Sequence, residues 1–184
     1  MNKETNIENL KFPIGHFDAH IEVTTEHLKL WKKTISEFPQ KLEKLVSNLS
    51  SEELNWKYRP NGWAIKQVVN HLADSHMNSF IRFKLTLTED APTIRPYEEA
   101  DWANVPDGLT ENIKPSLQIL NGVHQRWSIL LENLSEADWN RMYFHPQHQQ
   151  LISTKEALGV YDWHCRHHLA HIEQALLHKG EFNQ

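Results

Sequence analysis

Four histidines fall within eight residues in the run Tyr161-Asp162-Trp163-His164-Cys165-Arg166-His167-His168-Leu169-Ala170-His171. His164 with His168, and His167 with His171, are spaced i,i+4, which puts both members of each pair on one helical face. Neutral imidazole is the commonest metal ligand, and two from one helix plus a third from elsewhere make an open three-nitrogen site. A metal held in this way can acidify a bound water, and it can equally take a thiol as thiolate. The cluster therefore needs a helix beneath it and a second element that brings another histidine.

The helix is well signalled. Ser153 with Glu156 has capping-box spacing, and Lys179-Gly180 is a basic last turn followed by a glycine stop. Leu158, Tyr161, Cys165, Leu169, Ile172 and Leu176 fall along one buried direction. His168 lies about 60° and His164 about 100° from that stripe, on one flank. His171 lies about 120° out on the same flank, and His167 points to the opposite side, where solvent is expected. Cys165, at the stripe centre, reads as an inert buried thiol.

An earlier helix, expected over Trp63–Thr88, buries Ile65, Val69, Leu72, Phe80 and Phe83. His71 sits about 100° from Leu72, flanked by Ala64, Ser75, Asn78 and Arg82. His76 diverges from His71 by about 140°, so those two do not chelate together. On spacing alone, Gln67, His71, Asp74, Asn78 and Arg82 read equally well as the wet face of an amphipathic helix. His124, His145 and His148 have no partner at ligand spacing and read as ordinary core or surface residues. His16, His20 and His27 lie in or near the N-terminal segment, where nothing else supports a site.

Composition narrows the class. The chain has 184 residues, a net charge of −5 and 23% charged residues, which suits one domain and offers no basic field for nucleic acid or anionic membrane. One cysteine excludes an internal disulfide and a CxxC motif. No apolar run approaches the roughly 20 residues of a membrane span, and no signal-peptide core follows Lys3, so a cytoplasmic location is expected.

Residues 1–20 read as an arm without a regular element. A helix starting at Thr24 or Thr25 buries Leu28, Trp31 and Ile35, and Pro39 predicts a kink or restart before the stripe continues to Leu49. Ser50–Glu53 and Ser135–Asp138 each read as a capped helical turn, and Arg59-Pro60-Asn61-Gly62 as a turn. Residues 89–112 form a long connection punctuated by Pro92, Pro96, Pro106 and Gly108. A further helix follows from Ile113 or Lys114 to about Leu134, with Pro115 in its first turn, and residues 140–152 read as irregular. Four long helices, few strand signals and no internal repeat predict an all-α four-helix bundle of one domain. The 24-residue connection is long enough to return the chain and leave the second and third helices parallel.

Several blocks together resemble a known family. They are Phe12-Pro13-Ile14-Gly15, Tyr58-Arg59-Pro60-Asn61-Gly62-Trp63, the run Gln67–Asn78, the run Arg82–Asp90, Pro92-Thr93-Ile94-Arg95-Pro96-Tyr97 and Tyr161–Ile172. In this order they resemble the YfiT-like branch of the DinB superfamily, small proteins labelled as metal-dependent hydrolases. The resemblance implies an up-down-down-up DinB-like bundle, one zinc or nickel ion per chain held by His71, His164 and His168, and a homodimer. Asp18-Ala19-His20-Ile21 departs from the family's more proline-rich arm.

The chemistry implied is divided. No HExxH glutamate stands beside the ligands as general base. Asp74, about 60° from His71, is a candidate base or support for a ligand, as is His171. Thiol transfer needs no such base, and relatives of this branch resemble low-molecular-weight thiol transferases, so transfer of a thiol such as bacillithiol to a small-molecule electrophile is the favoured expectation. Asn78, Arg82 and the loop Thr93–Tyr97 are candidate contacts for a polar thiol. Hydrolysis of small amides or esters, and a non-catalytic metal staple between two helices, are the alternatives.

Overall fold

The computed structural model describes residues 7–183; the N-terminal hexapeptide, read above for targeting signals, lies outside them. Four long helices carry the fold: α2 (Thr25–Val46), α4 (Ile65–Thr88), α6 (Lys114–Glu132) and α8 (Thr154–His178). Shorter pieces join them: α1 (Ile7–Lys11), α3 (Ser51–Leu54), α5 (Glu99–Trp102), α7 (Glu136–Trp139), strands β1 (Met142–His145) and β2 (Gln150–Ser153), and a final 3-10 turn, Glu181–Asn183. Around the bundle α2 packs on α6, α6 on α4, α4 on α8, and α8 back on α2.

Hydrogen bonds fix the helix directions. Asn70, early in α4, donates to the carbonyls of Gly108 and Thr110 and accepts from Ser116, early in α6. At the other end Arg141, just past the short α7 that follows α6, donates to the carbonyls of Thr86 and Glu89, and its own carbonyl accepts from Thr154 N–H at the start of α8. The second and third long helices are thus parallel. Lys32 in α2 meets Glu132 at the end of α6 at 2.7 Å, so α2 runs against α6. The order is up-down-down-up.

Local chemistry sets the boundaries. Thr24 caps α2 reciprocally with His27, and Ser153 caps α8 reciprocally with Glu156. The core is one cluster built on Trp127, Phe38, Phe83, Ile35, Leu42, Leu72, Leu158 and Ile172, all essentially inaccessible. Each comes from the apolar face of a long helix, where burial of a large side chain contributes about 1.5–3 kcal/mol.

Three expectations are corrected. α2 continues through Pro39 as one helix, so of the kink or restart expected there the restart does not occur. Pro39 has no N–H to offer the Ile35 carbonyl one turn earlier; that oxygen instead accepts from His124 Nδ1 at 2.6 Å. Residues 140–152, expected to be irregular, contain an antiparallel hairpin pairing Met142 with Ser153 and His145 with Gln150. Its edge is extended by Thr93–Ile94 of the long connection, where Ile94 N–H donates to the Phe144 carbonyl. The N-terminal arm contains α1, which docks on α8 through Leu10 and Lys11 carbonyls bonded to Gln174 and His171.

Candidate metal centre

His71 projects from the first half of α4, and His164 and His168 from consecutive turns of α8. One ring nitrogen of each lies within 4.8 Å of the other two. His71 Nε2 and His164 Nε2 are 3.3 Å apart. Two tetrahedral ligands on Zn–N bonds of 2.0–2.1 Å would stand about 3.3 Å apart. Burial depresses the His71 imidazole to about 4 and holds His164 and His168 well below the ordinary value, so all three rings are in the neutral form that ligates. Spacing and donor chemistry both fit a divalent ion.

The other histidines of the opening motif fall differently. His167, expected in solvent, is buried: Trp163 stacks on it at 4.2 Å, and Phe12 of the arm closes over it at 5.8 Å. The helical wheel could not include the arm, which Trp163 pins by donating its indole N–H to the Gly15 carbonyl. His171 is also buried, stacked on Tyr58 at 3.8 Å, with Nδ1 3.3 Å from His168 Nδ1 and Nε2 2.9 Å from the Lys11 carbonyl.

Two cavities flank His164. One, about 390 Å³, contains all three site histidines and is walled by Tyr58, Arg59, Trp63 and Trp163. The other, about 400 Å³, reaches His164 from the hairpin side. Phe17, Ile21, Val23 and Trp31 give that cavity apolar lining, and Arg82, His145 and His148 give it polar lining. Glu99 borders both, and burial raises its carboxyl above the usual range.

Of the remaining sequence candidates, Arg82 lines the second cavity and donates to the Arg95 carbonyl at 3.1 Å. Asn78 lines neither cavity and donates back to the Asp74 carbonyl of its own helix. Asp74 lines neither cavity; burial and then Asp107 push its carboxyl up to about 6. Glu99 and Arg59 went unmarked because one sits in an aperiodic connection and the other in a turn. His76, which diverges from His71 along α4, and His124, which has no partner at ligand spacing, are both fully buried and joined in the core, His76 Nδ1 to His124 Nε2 at 2.6 Å.

The model for the DinB superfamily matches residues 34–172. The chain belongs to the DinB superfamily. Within it, the Bacillus subtilis protein named "Putative metal-dependent hydrolase YfiT" is 42% identical over 166 residues, covering 90% of this chain and 93% of its own. An Oceanobacillus iheyensis protein, also named a "Putative metal-dependent hydrolase", is 43% identical over 164 residues, covering 89% of this chain and 94% of its own. The solved structure of the B. subtilis protein, described as having an unusual four-helix bundle topology, superposes with a TM-score of 0.89 at 41% identity over 94% of this chain and 98% of that one. A mycothiol-dependent maleylpyruvate isomerase shares the fold, with a TM-score of 0.56 at 15% identity over 85% of this chain and 62% of its own.

Proposed function

We propose that this DinB-superfamily protein is a metal-dependent enzyme whose His71, His164 and His168 hold one zinc or nickel ion, and that it transfers a low-molecular-weight thiol to an electrophile. The observation that carries this reading is the donor set, three neutral imidazoles with no carboxylate in the cluster. An ion held there keeps its full double charge and lowers the pKa of a thiol or a water at its open position.

The chain's own groups supply the rest. The wall of Phe17, Ile21, Val23 and Trp31 takes up the apolar part of an electrophile and keeps water from it. Arg82 in the lining of the same cavity, and Arg59 in the cavity of the histidines, offer guanidinium donors to an anionic group on the thiol. The buried Arg59 Nε has no hydrogen-bond partner among the described residues. Two cavities meeting at His164 suit two reactants better than one.

Hydrolysis is the second reading, and Glu99 favours it. Its raised carboxyl borders both cavities, where a base for water would stand. The designation of the relatives points the same way.

One experiment separates the two. Zinc-loaded protein is assayed for loss of a model thiol against monobromobimane, and in parallel for hydrolysis of nitrophenyl esters. Thiol consumption that survives Glu99→Gln supports transfer. Ester turnover without thiol consumption, abolished by Glu99→Gln, replaces it with hydrolysis.

A further inference from the structure

Each α8 histidine of the site is the end of a chain of imidazoles that begins on a backbone carbonyl. In the longer chain the Ile35 carbonyl is 2.6 Å from His124 Nδ1, His124 Nε2 is 2.6 Å from His76 Nδ1, and His76 Nε2 is 3.1 Å from His164 Nδ1. In the shorter one the Lys11 carbonyl is 2.9 Å from His171 Nε2, and His171 Nδ1 is 3.3 Å from His168 Nδ1. We propose that these two chains, anchored on the Ile35 and Lys11 carbonyls, fix His164 and His168 as Nδ1–H tautomers and aim their Nε2 lone pairs at the site.

The direction of each chain follows from its anchor. A carbonyl oxygen can only accept, so His124 Nδ1 carries a proton and, in a neutral ring, His124 Nε2 does not. His76 Nδ1 must then donate to it, which leaves His76 Nε2 as an acceptor. That nitrogen in turn requires a proton on His164 Nδ1, and His164 Nε2 is left with its lone pair facing His71. The same steps from the Lys11 carbonyl put the protons on His171 Nε2 and His168 Nδ1. His168 Nε2 is thereby freed.

The anchor on α2 is itself built by the sequence. In an unbroken helix the Ile35 carbonyl would accept from the N–H of residue 39, and that residue is proline. The oxygen is left for His124, and Phe38 packs on both His124 and His76 at 5.3 Å, keeping water from the chain. His76, His124 and His171 are positioning residues, acting through His164 and His168. Their purpose rests on the proposed metal site, whereas the tautomers do not.

Long-range proton–nitrogen correlation spectra of the metal-free protein read the tautomers directly. Protonated Nδ1 on His76, His124, His164 and His168 is expected; a protonated Nε2 on His164 overturns the proposal. Chelator competition with zinc then tests the purpose. His124→Phe should weaken zinc binding about 10- to 100-fold, as loss of an outer partner does, with most of it restored in His124→Gln. Unchanged affinity in folded His124→Phe also overturns the proposal. Should wild type take up no zinc, the metal reading fails and the spectrum alone decides the tautomers.

Discussion

Gly159 of α8 faces the indole of Trp31 on α2 so closely that a Cβ on it would stand 2.9 Å from the ring. Trp31 is buried and contributes to the apolar lining of the second cavity. Alanine here would gain up to about 1 kcal/mol in helix propensity. Displacing a packed ring costs about 1–3 kcal/mol. Gly159→Ala is therefore expected to lower stability in urea unfolding and to weaken binding of apolar electrophiles. A variant more stable than wild type would show that Trp31 yields freely.

Of the three proposed ligands only His71 comes from α4, so its removal leaves two, both on α8. In thermal melts, wild type should rise with added zinc and fall back with chelator, by about 2.7 kcal/mol of added stability at a hundredfold excess over Kd. His71→Ala should lose most of that response. An equal zinc-dependent rise in both proteins would place the ion elsewhere.

His124 gives the metal-free protein a pH signature. Burial lowers its imidazole from 6.5 to about 4 in the folded chain. The unfolded chain therefore takes up this proton first as pH falls, and folding stability drops between about pH 6.5 and 4. The contribution is complete above that window and is reduced by about 3 kcal/mol at pH 4 for this residue. Urea unfolding across the window should show a steeper loss in wild type than in His124→Phe. Parallel profiles would mean that His124 does not stay neutral in the folded state.

Pro39 and His124 should behave as one unit, since both decide what the Ile35 carbonyl accepts. Pro39→Ala returns a helix N–H to that oxygen and should weaken zinc binding by about 0.5–1 kcal/mol, the scale of coupled neighbours. In a His124→Phe background the same change should have no effect on zinc. Additive losses would separate the proline from the site.

The bundle was legible because Leu72, Leu120, Leu158 and their neighbours recur with helical period, and because the aperiodic stretch 89–112 had to be a connection. The shared face of His164 and His168 was legible for the same reason. Spacing alone left His71 undecided between site and solvated face, because the nearer of its partners, His164, is 93 residues away in sequence. The His76–His124 contact joins two helices and leaves no mark in either one's period. The hairpin escaped because four-residue strands are too short to establish alternation. His167 was misplaced because its cover comes from the other end of the chain.

The bond from His171 Nε2 to the Lys11 carbonyl spans 160 residues of sequence. A ribosome makes Lys11 first and must complete nearly the whole bundle before His171 emerges to meet it. Contacts of such separation form late, after the loops between them have closed. In the metal reading proposed above, the ligand set is likewise complete only when His71 on α4 meets His164 and His168 on α8. Choice among ions would then fall to the folded cavity and not to the growing chain.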